Sequence, residues 1–394
     1  MKIALIQEEP TKKVGGGAVL FLLMTKELTK RGHSVCLISN PIVESLLPLY
    51  PEGLEIHQVI KSDPRPASQS SVIKRLVVIL KSRVRMNKVI ESFHPDIVCC
   101  GGEYPGILGL AIKRRFRIPV ILFKFHNVFE AWHNLTAFPK GYLLNFLEKL
   151  SFRLPFDAFI SNAYNYKVFN SLRFKSRRAR FNIITPGVDS DLFTYNGKRN
   201  SFRKKLDLED KKILLYAGAL DKNKKVDCLI EAMKMLAVKY PNCHLLVVGT
   251  GTEEESLIQL AKIYGLENFV TFTGQRPYSE IADYIIASDV IVVPSLSELF
   301  GSRTMYDAWA LKRPVVATAV GDVPDIAKDY ETALLIPPGD TQAIAEKVEQ
   351  IFSNTGLREK LVENAYQEVK KYSSEKLAEM FIEVCEQLVK NRGS

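Results

Sequence analysis

The segment Val290–Asp322, VIVVPSLSELFGSRTMYDAWALKRPVVATAVGD, decides the fold. Val290–Val293 is a short apolar run of the kind buried inside a sheet. Pro294 and Ser295 turn the chain, and a polar loop carrying Glu298 and Gly301 follows. A helical stretch then runs to about Leu311, and Pro314–Ala317 is a second apolar run. Strand, loop, helix and strand make one βαβ unit. In such units the loop at the carboxyl end of the strand holds ligands, and the N–H groups opening the next helix attract an anion. Glu298 has the wrong charge to serve that anion. It suits a neutral neighbour such as a sugar hydroxyl.

The same alternation runs through the preceding hundred or so residues. Lys212–Tyr216 reads as a strand, Gly218–Lys225 as a loop and Val226–Tyr240 as a helix. His244–Val248, the loop Gly249-Thr250-Gly251, the helix Glu253–Tyr264, the strand Val270–Phe272 and the helix Tyr278–Ala287 lead into the opening segment. Residues 341–353 and 357–391 are expected to be helical and close the chain. This is a doubly wound α/β domain.

A second such domain precedes it. Lys2–Gln7 is a strand, Pro10–Gly17 a loop ending in three glycines, Ala18–Lys30 an apolar-spaced helix, and Ser34–Ser39 the next strand. That opening is Rossmann-like, although its glycines do not form the GxGxxG dinucleotide fingerprint. A nicotinamide oxidoreductase is therefore disfavoured. Ser71–Phe93 is a long helix, and Asp96–Cys100, Pro119–Phe123 and Ala158–Ser161 are further strands. His126 directly follows one of these strands, at the end where ligands bind. The polar, basic stretch 190–211 marks the domain boundary. The expected division is 1–190, 191–373 and a final helical segment, 374–394.

The chain has 394 residues, 46% of them hydrophobic and 25% charged, as in ordinary globular proteins. Its six cysteines show no metal-ligand spacing, which points to a reduced, cytoplasmic chain. No apolar stretch is long enough to span a bilayer, and the N-terminus lacks a signal-peptide layout. The net charge of +10 is uneven: residues 1–190 carry 28 Lys and Arg against 14 Asp and Glu, and the remainder 26 against 30. A polyanionic partner for the first half follows. Lys74, Lys81, Arg85 and Lys88 share one helix face, which suits either an anionic membrane or an ordinary solvated surface. Nucleic acid is disfavoured, because no zinc-finger, RRM or KH pattern accompanies the charge.

Together the motifs carry a resemblance. They are the glycine loop with LTKRGHSV (Leu28–Val35), TPGVDSDLF (Thr185–Phe193), YAGALDKNKK (Tyr216–Lys225), VVGTG (Val247–Gly251), VTFTG (Val270–Gly274), the opening segment, and LLIPPGD (Leu334–Asp340). In order and spacing the chain resembles the retaining nucleotide-sugar glycosyltransferases of the GT-B fold, glycosyltransferase family 4. The resemblance implies two Rossmann-like domains facing a central cleft, the donor held mostly by the second and the acceptor by the first. It also implies a last helix that returns to the first domain. The implied reaction is sugar transfer from a UDP- or GDP-sugar with retention at the anomeric carbon, requiring no metal and no other cofactor. The acceptor is expected to be a lipid-linked or cell-envelope glycan, met by a cytoplasmic protein peripheral to the inner face of the membrane.

Residue by residue, Glu298 matches the first carboxylate of the family's E-x7-E element and His126 its first-domain histidine, both placed by resemblance at the donor sugar. Phe300 and Gly301, flanked by Leu299 and Ser302, match the loop whose backbone meets sugar and diphosphate. Gly16 and Gly17 match glycines that let backbone approach the diphosphate. The second carboxylate falls out of register: position 306 is Tyr306, and Asp307 takes the role when counted back from Pro314. The family's diphosphate Arg is Ala219 here, its Lys is Lys224, and its usual Gly is Lys225. Lys222, Lys225 or Arg303 would have to make good the missing charge. The alternative is a degenerate GT-B protein that binds or regulates a partner with little transferase activity.

Overall fold

The computed structural model describes residues 1–8, 16–42, 44–60, 72–124, 154–161, 180–184, 186–194, 199–298 and 302–392. The chain forms two compact units, Met1–Gly187 with Ser374–Ser394, and Val188–Ser373. Each is a parallel sheet flanked by helices.

In the first unit, β1 (Lys2–Gln7), α1 (Gly16–Lys30), β2 (Ser34–Ser39), β3 (Glu55–Gln58), α2 (Val72–Phe93), β4 (Ile97–Gly101), α3 (Glu103–Phe116), β5 (Val120–Lys124), β6 (Ala158–Ser161) and β7 (Arg180–Ile183) follow in order. The strand order β3-β2-β1-β4-β5-β6-β7 reverses between β1 and β4, the Rossmann arrangement. β1, β2 and β4 are buried almost throughout, which is why they read as unbroken apolar runs. The edge strand β3, EIHQ, has no such run and is half exposed, so periodicity does not announce it. Helix α1 begins at Gly16, two residues before the apolar spacing suggests, so Gly16 and Gly17 are its first helical residues rather than the end of the loop. On α2 the basic residues Lys81, Arg85 and Lys88 are exposed while Met86, Val89 and Ile90 pack into the core.

The second unit continues with α4 (Arg199–Lys205), β8 (Lys212–Ala217), α5 (Val226–Lys239), β9 (Cys243–Val248), α6 (Glu254–Ile263), β10 (Val270–Gly274), α7 (Tyr278–Ala287) and β11 (Val290–Val293). It closes with α8 (Arg303–Ala310), β12 (Val315–Thr318), α9 (Val323–Ile326), β13 (Leu334–Ile336), α10 (Thr341–Ser353) and α11 (Thr355–Val369). The order β10-β9-β8-β11-β12-β13 reverses between β8 and β11. The segment Val290–Asp322 thus begins at the switch point, the place where doubly wound sheets bind ligands.

The expected continuous helix over 357–391 is broken. A 3-10 turn, Lys370–Tyr372, and an extended Ser373 separate α11 from α12 (Ser374–Lys390). Helix α12 belongs to the first unit and packs along α1. The Arg31 guanidinium donates to Glu379 Oε1 at 3.2 Å and to the Glu375 carbonyl. Gly187, at φ +71°, sits where a β-carbon would lie 2.8 Å from Leu377 and 3.4 Å from Leu23, so that helix contact requires glycine there. Among the described residues no helix is long and apolar enough to cross a membrane, and all six cysteines are free and buried.

Candidate active site

Strands β8 and β11 point their carboxyl ends at the same place, and the loops leaving them are tied together. After β8, Asp221 caps the 3-10 turn Lys222–Lys224 by accepting from the Asn223 N–H at 3.0 Å. Asn223 then joins the β11 loop: its carbonyl accepts from the Leu296 N–H at 2.7 Å, and its side-chain amide donates to the Ser297 carbonyl at 3.1 Å. Both loops are held by backbone, so the side chains between them are positioned before any ligand arrives.

Glu298 is the centre of this arrangement and is only 7% exposed. Its Oε1 accepts from the Lys224 ammonium at 2.7 Å and from the Ser295 hydroxyl at 2.5 Å. Its backbone carbonyl accepts from the Asp322 N–H at 3.2 Å. Gly321 makes that approach possible: at φ +56°, a β-carbon would lie 1.7 Å from the Glu298 oxygen. Gly249 and Gly251 play the same part on the far side of the β8 loop, where added β-carbons would lie 1.9 Å from the Gly218 oxygen and 2.0 Å from the Leu220 oxygen. Gly249 and Gly251 stand in the quoted VVGTG motif, whereas Ser295, Asn223 and Gly321 take no site role from the sequence motifs. Their signal was a glycine or small polar residue just past a strand's carboxyl end.

Helix α8 begins at Arg303 with Ser302 as its extended N-cap, and that cap makes no side-chain bond to the helix. The Thr304 hydroxyl donates to the Ala217 carbonyl at 2.9 Å and fastens this helix start to the end of β8. Ala219 is exposed at the position of the family's arginine, and its carbonyl accepts from the Tyr216 hydroxyl at 2.6 Å. Burial, together with the nearby Glu298 and Asp221 carboxylates, keeps that hydroxyl protonated far beyond the usual tyrosine range.

Of the cations after β8, Lys224 is paired with Glu298 and Lys225 with Asp227, each at 2.7 Å. Lys222 is exposed and has no ionic partner among the described residues. Lys225 adopts φ +49°, the left-handed conformation a glycine takes without strain. The family's glycine has been replaced here, yet the backbone geometry it serves persists.

Asp307 is 2% exposed on α8 and its Oδ1 has no hydrogen-bond partner among the described residues. Burial raises its carboxyl to about 7 against the pull of the Arg303 guanidinium, and the Asp189 carboxylate adds to the rise. Tyr278 borders the same buried cluster. Lys224, Glu298, Ser302, Arg303 and Asp307 therefore all lie on the second unit's switch-point loops or on α8. Gly16 and Gly17 open α1 in the first unit. His126, Leu299, Phe300 and Gly301 lie outside the described residues.

Two Rossmann-like units, the second with a buried carboxylate and a lysine at its switch point, define a glycosyltransferase of the GT-B class. Residues 14–192 match the model described as Glycosyltransferase Family 4, and residues 198–368 the model described as Glycosyl transferases group 1. The D-inositol 3-phosphate glycosyltransferase of Mycolicibacterium smegmatis is 32% identical over 87% of this chain and 80% of its own. An uncharacterised glycosyltransferase of Methanocaldococcus jannaschii is 25% identical over 98% of this chain and 97% of its own. The chain belongs to this glycosyltransferase family. Its fold is shared with sucrose-phosphate synthase of Thermosynechococcus elongatus (TM-score 0.81, 22% identity, 99% of both chains). It is shared too with Anabaena HepE in complex with UDP and glucose (TM-score 0.77, 18% identity, 98% of this chain and 100% of that one).

Proposed function

We propose that the protein moves a sugar from a UDP- or GDP-sugar to an acceptor hydroxyl with retention at the anomeric carbon, and without a metal ion. The observation that carries this reading is Glu298, buried at the switch point with one carboxylate oxygen held by both Lys224 and Ser295. In this reading Oε2 takes a sugar hydroxyl and the Lys224 ammonium faces the donor diphosphate. The N–H groups opening α8 and the exposed Lys222 supply further positive field for the leaving group. Lys222 then stands in for the charge missing at Ala219. In the reaction the bond from the anomeric carbon to the diphosphate oxygen breaks, the acceptor oxygen bonds to the same face, and its hydroxyl proton passes to the departing diphosphate. His126 and the glycines Gly16 and Gly17 are assigned to the donor sugar and diphosphate by resemblance alone.

The acceptor is proposed to be a lipid-linked or cell-envelope glycan, reached by a cytoplasmic protein resting on an anionic membrane. The exposed row Lys81, Arg85 and Lys88, on a unit rich in Lys and Arg, supports this. Co-sedimentation with anionic vesicles that is unchanged when these three are neutralised would refute that face as the anchor.

The transfer reading is tested by a thermal-shift screen across nucleotide sugars, followed by radiolabelled transfer to membrane extract. Stabilisation by one donor and label in lipid or glycan are expected. No stabilisation, no transfer and no hydrolysis from any donor would sink it. Ala219 favours one other reading, a binding protein with little transferase activity. Calorimetry on Ala219→Arg separates the two. Tight nucleotide binding by the native chain removes the degenerate reading, and binding only in the variant supports it.

A further inference from the structure

In the first unit, far from the switch-point loops in sequence, three metal-ligating side chains of different chemistry converge on the outer edge of the sheet. Cys36 of β2 is in register with Glu55 of the edge strand β3, and His57 follows Glu55 by two residues. Strand periodicity therefore puts all three side chains on one face. The Cys36 Sγ, a Glu55 carboxylate oxygen and a His57 ring nitrogen all lie within 4.8 Å of one another. Among the described residues no other group of three such side chains meets this way. We propose that Cys36, Glu55 and His57 form a binding site for a divalent zinc-type cation, which ties the edge strand β3 to β2.

The donor set selects the class of ion. A thiolate, an imidazole and a carboxylate together suit zinc, and three protein ligands leave a fourth position to water. Bonds of about 2.0–2.3 Å set tetrahedral ligand atoms roughly 3.5 Å apart, so the thiol must draw in by on the order of 1 Å while the His57–Glu55 pair, now at 2.7 Å, opens to admit the ion. Glu55 and His57 have side chains 45% and 30% exposed, so they are free to make that movement. The bland account of the same geometry is a surface His57–Glu55 hydrogen bond of 2.7 Å above a core thiol. Such a pair is worth little in stability.

Burial first, and the Glu55 carboxylate second, push the Cys36 thiol up to about 12, so the sulfur holds its proton until a cation binds. When the cation binds, the thiol proton is released to solvent and the sulfur becomes a ligand. The ion would fasten a four-residue edge strand that is half exposed and pairs with β2. This site is independent of the transfer reaction, and its test does not depend on activity.

The test uses the full-length chain without an affinity tag, reduced and stripped of metal. Cobalt(II) is titrated as a spectroscopic stand-in for zinc, and unfolding is followed with and without zinc(II). One cobalt per chain with a thiolate-to-cobalt band in the near ultraviolet is expected, displaced by zinc. Cys36→Ser should abolish the band. His57→Gln and Glu55→Gln should each weaken binding by at least about tenfold and remove the zinc-dependent rise in Tm. These two positions are on the surface, so they decide the matter even if Cys36→Ser fails to fold. Absence of the band overturns the proposal. So does binding that is unchanged in His57→Gln and Glu55→Gln, which would mean an adventitious ion only.

Discussion

Lys224 and Glu298 lie 74 positions apart in the chain, and their ammonium and carboxylate meet at 2.7 Å. The side chains are 25% and 9% exposed, between a surface ion pair and a buried one. Lys224→Ala leaves the carboxylate with Ser295 as its remaining side-chain donor among the described residues. A loss of about 1–3 kcal/mol in stability is expected, between the values for exposed and buried pairs. If Lys224 also meets the donor diphosphate, nucleotide affinity should fall about tenfold to a hundredfold, the loss of one charged hydrogen bond. Denaturant unfolding and calorimetry with UDP and GDP read the two effects separately. Unchanged affinity for both nucleotides would remove Lys224 from the diphosphate site.

Ser295 touches the Glu298 carboxylate through its hydroxyl at 2.5 Å and is itself 1% exposed. Ser295→Ala frees that carboxylate to rotate while leaving Lys224 in place. The expected result is a fall in kcat of about tenfold, from one lost hydrogen bond of about 1.4 kcal/mol, with nucleotide affinity unchanged. Equal losses in nucleotide affinity and in turnover would mean that the hydroxyl merely supports the loop.

Gly321→Ala places a carbon where the Glu298 carbonyl already stands, 1.7 Å away, on a backbone at φ +56°. The two loops must separate, and the Asp322 N–H loses its acceptor. Transfer activity should drop at least about a hundredfold, with a stability loss of roughly 2 kcal/mol or more. Circular dichroism should show that the sheets survive. Wild-type turnover in Gly321→Ala would show that the Glu298 loop does not need this position.

Lys225 carries the opposite prediction. Its left-handed conformation is strained for a side chain, and its pair with Asp227 is partly exposed, at 26% and 47%. Lys225→Gly relieves strain of about 1 kcal/mol and gives up a surface pair worth less. A small net stabilisation is expected, read as a higher Tm. A Tm lowered by several degrees would show that the ammonium is needed there.

Asp307 should make stability fall as pH rises. Burial holds its carboxyl near 7, above the ordinary value of 3.8. A raised acid in the folded state keeps its proton longer than in the unfolded chain. Its contribution is full below about pH 4 and is lost as pH climbs through about 7. Asp307→Asn cannot ionise, so its stability relative to wild type should improve by a few kcal/mol between those limits and level off above them. Parallel unfolding curves of the two proteins from pH 4 to pH 8 would contradict a buried, reluctant carboxylate.

The strands and the two-unit plan are written in local pattern. A strand buried on both faces must be apolar throughout, so Val290–Val293, Cys243–Val248 and Lys2–Gln7 announce themselves from a few consecutive residues. Glu298 and Lys224 stand out because the motif around each loop is short and contiguous. Their pairing is not local: it exists because β8 and β11 are neighbours in the sheet, and only the sheet order brings residues 74 apart to 2.7 Å. The same holds for Gly321 beneath the Glu298 carbonyl, for Asp307 among Arg303, Asp189 and Tyr278, and for Cys36 beside Glu55. The edge strand β3 and the break at Lys370–Ser373 escaped pattern reading, since a half-exposed four-residue strand and one extended residue leave no periodicity to detect. Sequence alone determined which stretches fold and what family of chemistry they serve. Tertiary structure decided which side chains meet, because burial pattern is a property of neighbours along the chain while contact is a property of the packed sheet.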